Sequence, residues 1–553
     1  MKMWFEEAEE LFKGYLPYYL LVFLPIFIIV SPANPVAASH EFPVCRMQHY
    51  DLHGVAHGCR SAMINLEIRS INSWSTSRHC VAVRLQELTV DHFRNIRSKA
   101  GALLVILPDD MALLSGEEQQ HLLLLENAML AQEITIPVYF ATSTPELDGI
   151  VNEVAVSSVA DDRSKSASEV MLSSVAATGY QIVINPKTPS VRSDVKIATV
   201  QGNLVGYGVD GKVPTIAVVA YYDSFGMAPD LAYGADSNAS GVAILLELMR
   251  LFALLYNDSK THGMYNIVFL LSGGGKLNFQ GSKKWLEDQL DSLDGSIIQA
   301  TSYVMCLDAM ASSDSLYMHV SKPPKEGSSA STLFKNLKAS AEHSKYDKPI
   351  EGVHKKINLA DDLLAWEHER YSIRRLPAFT LSTLKSHKDM KRGTILDTRR
   401  NFNMDQLVQN AQILADALSR SIYNVTGSVF GESLKVERTS LEAWMNHLSS
   451  QPRSAQLLSN KDNSLVALFK DTFSKYLRDV KITYAVPDKR DPDFVFYDVT
   501  KGTMNIYSVK PAFFDLILTI GIVGYLVAIY FAIQHFPVVY TMACSATKKQ
   551  KVN

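Results

Sequence analysis

The run from Leu516 to Ile533 limits this chain more than any other feature: it is uncharged, contains no proline, and is long enough to cross a bilayer as a slightly extended helix. Lys548, Lys549 and Lys551 follow it, and positive charge on that flank places the tail in the cytosol. A single transmembrane helix over 511–536 and a cytosolic tail over 537–553 are therefore expected. Lys549 and Lys551 also stand in the KxKxx pattern that retrieves membrane proteins to the endoplasmic reticulum, which makes that membrane the expected location. At the other end, Tyr15 to Val30 is apolar over the length of a signal-peptide core, and Val36, Ala37, Ala38 and Ser39 offer small residues for cleavage. Residues 1–39 read as a signal peptide; Glu6, Glu7, Glu9 and Glu10 outnumber Lys2 and Lys13 in front of the apolar run, against the positive charge such signals prefer, which makes an uncleaved anchor the alternative.

The chain between these ends is then lumenal, and its sequons at Asn238, Asn257 and Asn424 become candidate glycosylation sites, Asn424 foremost. With 553 residues it is too long for one hydrophobic core. A formal charge of −3 with 47% hydrophobic and 20% charged residues points away from nucleic-acid binding and from disorder. The cysteines form no CxxC pair, leaving room for one disulfide among Cys45, Cys59 and Cys80.

Apolar runs at Ala102–Leu107 and Ile134–Phe140, with a helical pattern from Glu117 to Ala131 between them, predict a small α/β lobe over 40–195. The serine-rich stretch Ser157–Ser168 reads as a linker or exposed loop. A second α/β pattern follows over 196–426, with strands at Thr215–Ala220, Asn266–Leu271 and Tyr303–Leu307 and helices at Gly241–Tyr256 and Ser282–Leu293. That alternation predicts a mainly parallel sheet with flanking helices. A helix at Gln406–Tyr423 ends this unit, and a helical stretch at Ser440–Leu477 makes 427–510 a helical membrane-proximal region.

Four short segments follow the strands of the second unit, where polar groups line the ligand-binding edge of such sheets. They are Tyr221 to Gly226, Gly234 to Gly241, Ser272 to Ser282, and Leu307-Asp308. In order and spacing, over roughly Lys196 to Asn424, they resemble the M28 family of zinc aminopeptidases. The resemblance implies that family's fold and a site where imidazole and carboxylate groups hold two zinc ions while one carboxylate takes a proton from bound water.

Carried over residue by residue, it implies a degenerate site. Tyr221 stands where the family has a zinc-binding histidine, with its partner kept as Asp223. Asp236 keeps the bridging carboxylate and Asp308 another ligand. Gly275 and Lys276 replace the glutamate pair that supplies base and ligand, and Gly393 replaces the last histidine; His387 is the nearest substitute. Two carboxylates do not hold a two-zinc site, so no metal or cofactor and no catalytic residue is expected. Asp236 should serve as a cap or turn residue and Asp308 as the partner of Lys276.

Further runs, among them Val320 to Pro324, Ala365 to Arg370, Arg375 to Ser382 and Asp488 to Pro492, extend the similarity over nearly the whole chain to nicastrin-related members of the M28-like group. That resemblance implies a non-catalytic subunit of an endoplasmic-reticulum complex with nodal modulator and a small multi-spanning membrane protein, associated with the translocon for multi-pass membrane proteins. A substrate gate of an intramembrane protease and an active metallopeptidase are the competing readings.

Overall fold

The computed structural model describes residues 40–73, 76–161, 179–208, 213–291, 300–312, 315–431, 434–459, 463–488, 490, 493–509, 512–538 and 540–541. The expected signal or anchor at 1–39 and the tail lysines Lys549 and Lys551 lie outside these residues.

The large unit is organised by strand Thr215–Tyr221, every residue of which is buried. Its side chains alternate with the period of a strand: Ile216, Val218 and Ala220 enter one core, Ala217 and Val219 another. The first core is covered by helices Gly241–Asn257, Ser329–His343 and Met404–Tyr423, the second by Gln280–Leu290 and His368–Ile373. Burial on both faces is why the strand reads as an unbroken apolar run. Thr215–Tyr221, Asn266–Ser272, Thr301–Leu307 and Ala378–Ser382 are parallel. The flanks are not. Ile197–Leu204 and Arg478–Ala485 continue one side antiparallel, and Tyr317–Val320 pairs antiparallel with Ala378–Ser382 on the other before Glu351–His354 closes the order. The expected parallel sheet is thus the centre of a mixed, eight-stranded one. The segment Ala235–Asn257 is apolar and long enough to span a membrane, yet it is mostly buried as the central core helix.

The small lobe departs further from expectation. Strand Ala102–Leu107, helix Gly116–Leu130 and strand Val138–Thr142 form as read, the helix opened by a reciprocal cap between Ser115 and Glu118. These strands belong to a closed barrel in the order His40–Arg46, Lys501–Val509, Gly179–Ile184, Ile64–Ser70, Cys80–Arg84, Ala102–Leu107, Val138–Thr142. The lobe expected from residues 40–195 is therefore closed by a strand from the far end of the chain.

The region 427–510 is correspondingly not a helical stalk. Arg438–Leu448 and Ser464–Tyr476 are helices, separated at a segment that contains Pro452. Three strands follow: Arg478–Ala485 in the large sheet, Phe494–Phe496 beside His49–Leu52 in a four-stranded sheet, and Lys501–Val509 in the barrel. Helix Pro145–Asp161 runs through the start of the expected serine-rich loop, whose remainder lies outside the described residues. Cys45, Cys59 and Cys80 carry free thiols; Cys59 instead contacts the Ile136 carbonyl (3.3 Å) and accepts the Val138 N–H (3.2 Å). Finally, the apolar run near the end forms helix Ala512–Gln534, with Leu518, Ile520, Ile522 and Val523 exposed.

Candidate functional site

The motif residues converge at the carboxyl ends of the central strands. Tyr221 ends its strand, Asp308 follows Thr301–Leu307, and Gly275 and Lys276 lie in the turn after Asn266–Ser272. Asp236 is held in a turn opened by Gly234, whose φ of 63° is in the left-handed region; a Cβ there would also meet the Ser237 carbonyl oxygen at 2.8 Å. Non-glycine residues Asn278, Phe279 and Ala309 take positive φ around the same edge, a clustering of backbone strain common at functional sites.

At the centre, the Tyr221 hydroxyl donates to Asp308 Oδ1 (2.8 Å) and lies 3.1 Å from Ser237 Oγ. Lys276 Nζ donates to Tyr221 Oη (3.3 Å), Ser237 Oγ (3.0 Å) and the Arg392 carbonyl (2.6 Å), which uses its three donors. Asp308, 1% exposed, is gripped by Arg392 through Nε (2.8 Å) and its terminal nitrogen (2.7 Å). The expected pairing of Asp308 with Lys276 is thus corrected: Arg392 is the direct partner, and Lys276 reaches Asp308 only through Tyr221 and Ser237. Arg392 also stacks on Trp366, 4.4 Å from the ring centre.

The titration behaviour follows from this packing. Burial alone would raise the Asp308 carboxyl, but the cations Arg392 and Lys276 hold it below its ordinary value. Burial, then repulsion from Arg392, pushes Lys276 down to about 8, which leaves it mostly charged at neutral pH. Burial and the neighbouring Asp308 drive the Tyr221 phenol well up, so it remains a neutral donor.

The other carboxylates hold backbone. Asp223 accepts the N–H groups of Gly275 (2.7 Å) and Lys276 (2.9 Å). Asp236 Oδ1 accepts from Ala311 N (2.7 Å) and Ser240 Oγ (2.9 Å), while Asp397 accepts the N–H groups of Asp236 (2.6 Å) and Ser237 (2.8 Å). Arg453 reaches this turn from behind, donating to the carbonyls of Tyr222, Tyr233 and Gly234. Sequence reasoning missed Arg392, Ser237 and Arg453. For Arg392 the signal was its place beside Gly393 in a basic loop; for Arg453 there was none, because it arrives from outside the motif region.

These residues do not fit two zinc ions. The donor set offers a phenol and an ammonium where imidazole and carboxylate are needed. At Gly275, an added Cβ would fall onto the Cγ, Cδ2 and Cβ of Tyr221, so no glutamate fits there while Tyr221 keeps its place. Gly393 is different: a Cβ would meet Phe225 only at ordinary contact, 3.4 Å. His387 makes no hydrogen bond to Asp223, Asp236 or Asp308 among the described residues, and none of their His, Cys, Asp and Glu side chains gather into a metal-holding group of three.

The glycosylation reading changes at one position. Asn238 is 0% exposed; its amide donates to the Tyr221 and Leu307 carbonyls and its oxygen accepts from Gly241 and Ala309. Asn238 therefore cannot present a glycan in the folded chain, whereas Asn257 and Asn424 are exposed at helix ends.

A cavity of about 460 Å³ opens beside the network. Helix Gly116–Leu130 of the small lobe supplies one wall, the four-stranded sheet another through Tyr50 and Phe494, and the strand-end loops the rest through Phe225, Lys276, Phe279 and Arg392. Glu126 ties the lobe helix across, accepting the N–H groups of Met227 (2.6 Å) and Ile395 (3.3 Å).

Residues 203–418 match the model of Peptidase family M28. BOS complex subunit ncln of Danio rerio is 45% identical over 560 residues, covering 97% of this chain and 97% of that protein. BOS complex subunit NCLN of Homo sapiens is 44% identical over 551 residues, again with 97% of each covered, and Nicalin of Caenorhabditis elegans is 28% identical over 96% and 97%. Among solved structures, the gamma-secretase component Nicastrin shares the fold, with a TM-score of 0.58 at 12% identity over 86% of this chain and 100% of that one.

Proposed function

This chain belongs to the nicalin (NCLN) family, within the M28 peptidase-like proteins, and from that premise we propose that it is a non-catalytic scaffold subunit of an endoplasmic-reticulum membrane complex. The observation that carries the reading is the likeness over 97% of the chain to proteins named as subunits of a complex. Site chemistry supports the non-catalytic part. Two protein cations, Lys276 and Arg392, occupy the centre that a metallopeptidase needs for metal and base, and Asp308 is already neutralised by one of them. In this reading helix Ala512–Gln534 is the single transmembrane anchor, the body is lumenal with glycans at Asn424 and Asn257, and Lys549 and Lys551 form the retrieval signal of a cytosolic tail. The partners assigned are nodal modulator and a small multi-spanning membrane protein, at the translocon that inserts multi-pass proteins.

Purification of the tagged full chain in mild detergent tests this reading, with replacement of Leu516–Ile533 by an unrelated apolar span as the informative variant. The native chain should bring down translocon components, and the variant should fold but lose its membrane partners. Recovery of presenilin-type components would replace the scaffold with a protease gate. Stoichiometric zinc that disappears on Asp236→Ala would overturn the non-catalytic assignment.

A further inference from the structure

The cavity beside the relic site has two kinds of wall. One is apolar, formed by Leu123 and Leu130 of the lobe helix with Phe225, Phe279 and Leu363 opposite. The other is charged: Lys276, Lys388 and Arg392 line it together with His387, Glu126 and Asp389. The acids offset part of the positive charge. Asp308 pairs with Arg392 and cancels that charge, Asp389 accepts the Lys391 N–H (3.0 Å), and Glu126 Oε1 accepts the backbone N–H groups of Met227 and Ile395, which leaves Lys276 and Lys388 as the lining cations with no ion pair among the described residues. Neither Lys388 nor His387 forms an ion pair among the described residues. The exposed Asn127 also lines the cavity, and its side-chain amide can donate and accept as a peptide backbone requires. At about 460 Å³ the space falls in the range of ligand sites.

We propose that this cavity binds the free C-terminal carboxylate of a polypeptide whose last residues are apolar, the carboxylate meeting Lys388 and the Arg392 edge and the terminal side chains lying between the lobe helix and Phe279. The polarity follows from the walls: a chain end that is apolar and negative matches them, whereas a free amino terminus meets like charge at Lys276 and Lys388. Lys276 is spent on internal acceptors and contributes field; Lys388 is the cation free to make contact. The proposal rests on the non-catalytic reading, since the cations of its charged wall are the groups that stand in for the metal site.

The test uses the full chain in mild detergent and a fluorescent tetrapeptide, Ala-Leu-Leu-Phe labelled at its amino end, made as the free acid and as the C-terminal amide. The acid should bind at least about tenfold tighter than the amide, and that difference should shrink as salt is raised. Lys388→Glu should remove the preference and Lys388→Arg should keep it. Leu363→Asp, at a residue 41% exposed and so not needed for folding, should weaken both peptides. Equal binding of acid and amide, or an undisturbed preference in Lys388→Glu, overturns the proposal. Binding of decanoate without binding of the peptide overturns the polypeptide assignment in favour of a lipid acid. An unlabelled copy of the peptide should be recovered intact by mass spectrometry; loss of its first residue would overturn the non-catalytic reading and leave the carboxylate preference to be judged by the binding arms.

Discussion

The large unit and the small lobe are both α/β, yet they are put together differently. The central strands and helices of the large sheet come from one continuous stretch, and its motif residues meet because successive strands end at the same edge. The small barrel closes only when Lys501–Val509 inserts between His40–Arg46 and Gly179–Ile184. Local sequence is enough to specify the first arrangement in outline. The second depends on pairing residues more than three hundred positions apart, a closure whose entropy no local pattern records. The two units are joined where it matters for the cavity, through Glu126 and the four-stranded sheet.

The sharpest break of this comparison is truncation. A chain ending after Asp493 should lose the barrel altogether, because two strands lose a neighbour and an open, apolar edge remains; one ending after Val509 should keep it. Limited proteolysis should degrade the first through residues 40–184 and spare the second. If both proteins resist equally, the barrel does not depend on its distant strand.

Within the large unit the two cations should differ. Arg392→Met leaves Asp308 buried without its direct partner and should cost about 3–5 kcal/mol, whereas Lys276→Met leaves the Arg392 pair intact and should cost about 1–2 kcal/mol. Denaturant midpoints decide the order, and a reversal would make Lys276 the principal counter-charge.

A double-mutant cycle sharpens the steric argument. Gly275→Ala should destabilise by about 1–3 kcal/mol in the native background and much less with Tyr221→Gly, because the added methyl collides with the Cβ, Cγ and Cδ2 of Tyr221. Additive effects would show that the turn carrying Gly275 moves aside.

The effect confined to one side of the pH range lies at the joint between the units. Burial raises Glu126 from 4.5 to about 7, and its Oε2 has no hydrogen-bond partner. A carboxyl raised in the folded state binds protons there that the unfolded chain has released. Its favourable contribution is therefore complete below about pH 4.5 and is lost as pH rises through about 7. Glu126→Gln should raise the melting temperature at pH 8, by an amount equivalent to about 1–3 kcal/mol, and change little at pH 5. An equal shift at both pH values would mean the carboxyl is ionised throughout.

Much of the site was legible in the sequence because strand-end motifs act locally. The register from Ser272 to Ser282 puts Gly275 and Lys276 in the turn where they lie, and the apolar run Thr215–Ala220 puts Tyr221 just after a strand, where the structure makes it the strand's last residue. Charge alone pairs Lys276 with Asp308; two guanidinium donors on Asp308 Oδ2 and stacking on Trp366 give that place to Arg392. A sequon marked Asn238, but only packing shows that all its polar atoms are spent on backbone. The sequence by itself determined the alternation of the central strands and helices, the tyrosine, glycine and lysine at the strand-end motif positions, and the apolar helix near the end, because each depends on residue type and local periodicity. Tertiary structure alone decided that a C-terminal strand closes the N-terminal lobe, that Arg453 and Glu126 brace the site from distant elements, and that a cavity with an apolar and a charged wall opens between the units. Those features depend on which surfaces meet after the chain has folded, and no spacing along the chain encodes that meeting.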